Sequence, residues 1–117
     1  MRDPKLYLKD ILAAMNAIEK FVNRKDFKKF KKDDMRLSAV VRKFEIIGEA
    51  TKNIPEEIKL KYSTIPWKDM SGIRDRLIHF YFGIKYELVW ETIKKDIPKV
   101  KPLIEKILED LNTENHS

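Results

Sequence analysis

The chain has no cysteine and no glutamine, and only three glycines and two histidines among its 117 residues. Without cysteine, disulfides, thiolate metal sites and a thiol nucleophile are excluded. Gly48, Gly72 and Gly83 stand far apart, so neither a P-loop nor a dinucleotide-binding loop can be built. Ser38, Ser63 and Ser71 lack the setting of a nucleophile elbow. No carboxylate–histidine zinc spacing occurs, so no metal and no cofactor are expected. No apolar run nears the ~20 residues of a helical membrane span. Met1-Arg2-Asp3-Pro4-Lys5 leads into charged sequence instead of a signal-peptide core, so a cytoplasmic protein without membrane contact is expected.

What is present is apolar and charged sequence in near balance, 43% and 38%, as in a soluble helical domain with strongly charged outer faces. The length suits one domain, expected over 1–111, with a polar tail over 112–117. The net charge of +6 favours polyanionic partners without identifying them. Lys25, Lys28, Lys29, Lys31 and Lys32 crowd into one segment around Phe27 and Phe30. One reading is a phosphate-binding edge that helps hold RNA. The other is a solvated connector anchored by two phenylalanines.

Periodicity predicts helix after helix. Asp3 can cap a first helix with Pro4 at its first position. Leu8, Ile11, Leu12, Met15, Ile18, Phe21 and Val22 then recur at helical spacing to about Asn23. Asp33 or Asp34 opens a second long helix to about Asn53, carrying Leu37, Val40, Val41, Phe44, Ile47 and Ala50. Pro55 begins a short helix. Pro66 opens another, predicted over Trp67–Tyr81 and ended by Gly83. A segment from about Lys85 to Lys95 follows. Pro98 is expected to interrupt or kink it before a last helix with Val100, Leu103, Ile104, Ile107 and Leu111. No strand pattern is visible. The expected fold is an all-α bundle of four or five helices. Glu45 and Glu49 form an i, i+4 pair that could approach the Trp67–Tyr81 helix, although such pairs are usually surface residues. Trp67 and Trp90 could stack on bases, but fit the core or a subunit interface better.

One cluster carries chemistry: Arg74-Asp75-Arg76-Leu77-Ile78-His79-Phe80-Tyr81. His116 lies in the polar tail, so His79 is the one imidazole expected in ordered structure. On a continuous helix Asp75 and His79 share a face, and a carboxylate there can orient the ring. Arg74 and Tyr81 also share a face. Arg74 and His79 diverge by about 140°. They converge on one phosphate only if the helix end distorts or if a second subunit supplies the complementary residue. Equally, Arg74, Asp75 and Arg76 could be a solvated face, and His79 a structural residue at a helix C-terminus.

The spacing Arg-x4-His-x-Tyr followed by Phe82-Gly83 resembles the HepT-like branch of the HEPN superfamily. Its flanks resemble it too: Phe44-Glu45-Ile46-Ile47-Gly48-Glu49-Ala50, Ile65-Pro66-Trp67, Gly72-Ile73-Arg74, Leu88-Val89-Trp90 and Asp96-Ile97-Pro98. Phe80 departs from the pattern, which often has an acidic residue there. The resemblance implies an all-helical HEPN-like fold and a homodimer with both motifs facing one cleft. It also implies metal-independent RNA cleavage, with Arg74 and His79 as the catalytic pair. Asp75 and Tyr81 would support them. In HEPN–MNT toxin–antitoxin modules the partner is a minimal nucleotidyltransferase that can place AMP on the motif tyrosine, here Tyr81. A non-catalytic HEPN module that binds such a partner or a nucleotide is the alternative. A third is a basic RNA-binding protein without turnover.

Overall fold

The computed structural model describes residues 2–79, 81 and 83–115. Helix α1 (Pro4–Val22) starts where Asp3 accepts the Lys5 N–H at 2.9 Å, with Pro4 in its first turn. It buries Leu8, Ile11, Ala14, Met15, Ile18 and Val22, while Leu12 and Phe21 pack partly buried on the same core. Arg24, at φ 63°, turns the chain into α2 (Phe27–Lys31). Asp26 caps α2, and Phe30 is fully buried. Burying such a ring is worth roughly 1.5–3 kcal/mol. It fixes the lysine segment to the bundle.

Helix α3 (Asp34–Lys52) is capped by Asp33, whose carboxylate accepts the Arg36 N–H at 3.1 Å. The whole expected stripe from Leu37 to Ala50 is buried. Helices α1 and α3 form the central pair. A Cβ added to Gly48 would lie 3.2 Å from the Ser71 carbonyl oxygen. Glycine therefore lets α3 approach the backbone of the next layer.

That layer consists of α4 (Glu56–Lys61), α5 (Trp67–Ser71) and α6 (Ile73–Leu77). Trp67 is buried and donates its indole N–H to the Tyr62 carbonyl at 3.1 Å. The Trp67–Tyr81 helix of the sequence reading is corrected here. It is jointed at Gly72 and ends at Leu77. Ile78 is extended, at φ −125° and ψ 123°. Two-residue strands β1 (Ile78–His79) and β2 (Gly83–Ile84) pair antiparallel, with Ile78 opposite Ile84 and His79 opposite Gly83. The β-branched and aromatic run after Leu77 favours extended backbone over helix. Gly83, at φ 81°, makes the return where a side chain would be strained.

The chain then enters α7 (Tyr86–Glu91), a π-helical turn (Thr92–Asp96) and α8 (Ile97–Asn115). Pro98 does not interrupt this rod, as the sequence reading had it. The π turn precedes it, with the Ile97 N–H reaching the Thr92 carbonyl, and Pro98 falls in the first turn of α8, where its missing N–H matters least. Pro102 also lies within α8. The helix continues through 112–115, past the expected boundary at 111, and Lys61 donates to Glu114 at 3.1 Å. Lys101 meets Glu19 at 2.7 Å, tying α8 to α1. Among the described residues the fold is the all-α bundle that the sequence led one to expect, with one small two-stranded ladder added. Among the described residues no helix is long and apolar enough to cross a membrane.

Candidate active site

Arg74 occupies the second position of the short helix α6, and its carbonyl accepts the Ile78 N–H that closes the helix. Its guanidinium lies over α3. Arg74 Nε is 3.9 Å from Glu45 Oε1, and a terminal nitrogen is 3.6 Å from Asp75 Oδ1. Arg42 approaches the other oxygen of Glu45 at 3.4 Å. One carboxylate thus sits between two arginines. Both Arg74 contacts exceed hydrogen-bond length, and the Arg74 side chain is 57% exposed. It is charged, loosely positioned and open to an incoming anion.

A small cavity of about 140 Å³ lies beside this cluster, between α3 and the α5–α6 joint. Arg42, Glu45, Arg74 and Asp75 line it, with Gly48 and Gly72 on its walls. Gly48 permits the close approach of the two layers. Glu45, one turn before Gly48, is thereby brought within reach of Arg74.

His79 stands exposed on β1, at the neck of the turn, and Tyr81 stands at its tip with 86% of its surface exposed. The neck is closed by the Lys85 N–H donating to the Leu77 carbonyl at 2.8 Å. Of the two routes to convergence, the helix end does distort. His79 leaves the helical wheel and stands on β1, two residues past the end of α6. The same change removes the expected shared faces. Asp75 and His79 are no longer one helical turn apart, and Asp75 instead meets Arg74. Nor do Arg74 and Tyr81 share a helix face. Phe80, Phe82 and His116 lie outside the described residues.

The HepT-like ribonuclease family profile matches residues 11–107, a stretch that contains every one of these elements. The chain belongs to the HepT-like ribonuclease family. A Methanocaldococcus jannaschii protein provisionally named as an RNase is 47% identical over 110 residues, covering 94% of this chain and 95% of its own. A Caldanaerobacter subterraneus protein, also provisionally named as an RNase, is 44% identical over 109 residues, covering 93% and 97%. A Thermococcus cleftensis protein provisionally named ribonuclease HepT is 45% identical over 106 residues, covering 91% and 96%. No solved structure gives a significant match.

In this HepT-like chain the lysine segment separates by position. Lys28, Lys31 and Lys32 line a surface cleft with Phe27 and Tyr86. Lys25 and Lys29 do not line it. Trp90 packs behind, its ring centre 6.0 Å from Phe27 and 5.3 Å from Phe30, so it is mainly a packing residue. Sequence reasoning placed Glu45 near the active helix without assigning it a partner, and it missed Arg42. The i, i+3 spacing from Arg42 to Glu45 and from Glu45 to Gly48 was the available signal.

Proposed function

We propose that this chain is a metal-independent endoribonuclease, working as a homodimer, and the toxin of a HEPN–MNT module. The observation that carries the reading is the end of α6 at Leu77. It leaves exposed Arg74 on α6 and puts exposed His79 and Tyr81 on the β1–β2 turn that follows. In the reaction His79 takes the proton of a ribose 2′-hydroxyl, and the 2′-oxygen attacks the adjacent phosphorus. The bond to the 5′-oxygen breaks, and that oxygen takes up a proton. A 2′,3′-cyclic phosphate and a 5′-hydroxyl remain. Arg74 offers planar N–H donors to the phosphoryl oxygens as charge develops. The nucleophile belongs to the substrate, so DNA is not cut. Asp75 supports the site as a carboxylate 3.6 Å from the Arg74 guanidinium. Lys25, Lys28, Lys29, Lys31 and Lys32 add attraction for the strand.

The homodimer is carried over from the family resemblance. A cleft of about 370 Å³ lies between α3, α5–α6 and the π turn. Phe44, Ile47, Met70, Ile73 and Leu103 give it apolar walls, and Arg76 lies on its lining. Tyr81 is the acceptor for AMP from the nucleotidyltransferase partner. Its oxygen attacks the α-phosphorus of ATP and pyrophosphate leaves. Its exposure suits that step, and the added charge repels RNA.

The test is incubation of the purified chain with single-stranded RNA in excess chelator. Cyclic-phosphate ends and a sedimenting dimer of the 14.0 kDa chain are expected. Coexpression with a nucleotidyltransferase partner should add AMP mass to Tyr81 and silence cleavage. RNA left intact by the unmodified protein overturns the enzymatic reading. Cleavage by a stable monomer overturns the shared cleft.

A further inference from the structure

The cleft between α2 and α7 has no part in the chemistry above. Its volume is about 510 Å³, within the ~300–1,000 Å³ common for small-ligand sites. Its lining is Phe27, Lys28, Lys31, Lys32 and Tyr86, two aromatic rings and three ammonium groups without a carboxylate. Phe27 and Tyr86 are only half-buried. Phe27 is backed by Trp90, and Trp90 by the fully buried Phe30. The ring is therefore held from behind while keeping an accessible surface. Lys31 Nζ sits 5.9 Å from the Phe27 ring centre and 5.5 Å from that of Tyr86. Glu87 lies 3.9 Å from Lys31.

We propose that this cleft binds a nucleotide of the single strand flanking the scissile phosphate, with a base stacked on Tyr86 or Phe27 and the neighbouring phosphates held by Lys28, Lys31 and Lys32. Base stacking needs an exposed π face and tolerates any base. The ammonium of Lys31 now covers two such faces, and a strand phosphate draws it aside as the base enters. The location suits the same strand. Tyr86 opens α7 directly after β2, and β2 pairs with the strand that carries His79. This inference rests on the ribonuclease reading for its substrate, but the cleft can be tested without cleavage.

The probe is a labelled 12-nucleotide strand with deoxyribose throughout, followed by fluorescence anisotropy against the intact chain. Tyr86→Leu keeps an apolar side chain and removes the ring. It should weaken binding by about five- to 160-fold, and Tyr86→Phe should restore it. The surface double variant Lys28→Gln/Lys32→Gln should lower the slope of log affinity against log salt by about 1.4, at ~0.7 per phosphate contact. Affinity within twofold of wild type in Tyr86→Leu, with an unchanged salt slope in the lysine variant, overturns the cleft even if RNA is cleaved normally. So does a change in sedimentation in the lysine variant, which would make the patch an interface between copies. If the deoxy strand responds as expected while RNA stays intact, the cleft stands and the nuclease reading alone falls.

Discussion

Residues 67–84 and residues 86–115 face the same difficulty, a helix that carries an awkward residue, and resolve it in opposite ways. The first segment has Gly72, which joints α5 to α6, and then abandons helix after Leu77. The second has two prolines and stays helical for its whole length, through a π turn. The difference lies in what each backbone gains by continuing. In the rod, Ile93, Ile97, Val100, Ile104 and Ile107 are all buried, so every turn adds apolar contact that offsets a lost hydrogen bond. Past Leu77 the described side chains are half-buried or exposed until Val89, and nothing in the core rewards another helical turn. Burial, more than the presence of a breaker, decides where helix persists. The candidate side chains His79 and Tyr81 sit where burial runs out.

The largest expected effect separates the two segments by chemistry. His79→Ala and Arg74→Ala should each lower RNA cleavage by ~10²–10⁴-fold with unchanged helicity, measured by gel assay and circular dichroism. Pro98→Ala, in the rod, should leave cleavage at the wild-type rate. Full activity in both site variants would break the comparison.

A smaller effect should arise at Gly83. Nothing lies within 4 Å of an added Cβ, so the cost of Gly83→Ala is backbone alone, at φ 81°. That is about 1–2 kcal/mol. It should fall on the turn, lowering cleavage roughly five- to thirtyfold while the thermal midpoint of the bundle stays nearly fixed. Gly48→Ala gives the contrasting result. Its Cβ meets the Ser71 carbonyl at 3.2 Å, so the layers must part and the global midpoint should fall.

Much of this was legible in the sequence. The stripes of α1 and α3, the caps at Asp3 and Asp33, and the anchoring of α2 by Phe30 follow from spacing, because each is a local pattern that the core then reinforces. The motif residues were also visible as Arg74, His79 and Tyr81. Their geometry was not. A helical wheel continues through Ile78 and His79 unless one knows that β1 has a partner, and β2 lies beyond the turn. The π turn before Pro98 was hidden for a similar reason. Proline signals a break, and only the buried face of α8 shows why the chain avoids one. Glu45 reads in the sequence as one of a pair with Glu49, and only α6 lying against α3 brings it to Arg74.

The smallest effect concerns the rod's far end. Tyr62 donates its hydroxyl to Asp110 at 2.7 Å. That hydrogen bond, with burial and the charge of Asp110, pushes the phenol up to about 12. The same bond, then that from Lys106, holds the Asp110 carboxyl below its ordinary value. The Tyr62 contribution is complete below pH 10.0 and is lost as pH rises through about 12. The Asp110 contribution is complete above its unfolded value near 3.8 and is lost as pH falls through the lower folded value. Denaturant melts of Tyr62→Phe should therefore lack the alkaline loss between pH 10 and 12 and show a weaker acid dependence. Cleavage near neutral pH should not change. A variant that melts in parallel with wild type at every pH would remove this link between α4 and α8.

The clasp between Leu77 and Lys85 has an evolutionary consequence. The Lys85 N–H to Leu77 carbonyl bond closes the turn behind the β1–β2 pair, so the span beyond them can change length while the scaffold keeps its registration. Loop closure grows only slowly more costly with length, by about 0.6 kcal/mol for each doubling. Insertions within this turn are cheap, whereas an insertion between Leu37 and Thr51 would rotate the core out of phase. The bundle therefore works as a socket and the turn as an exchangeable tip, and new substrate preferences can be tried without rebuilding the protein beneath them.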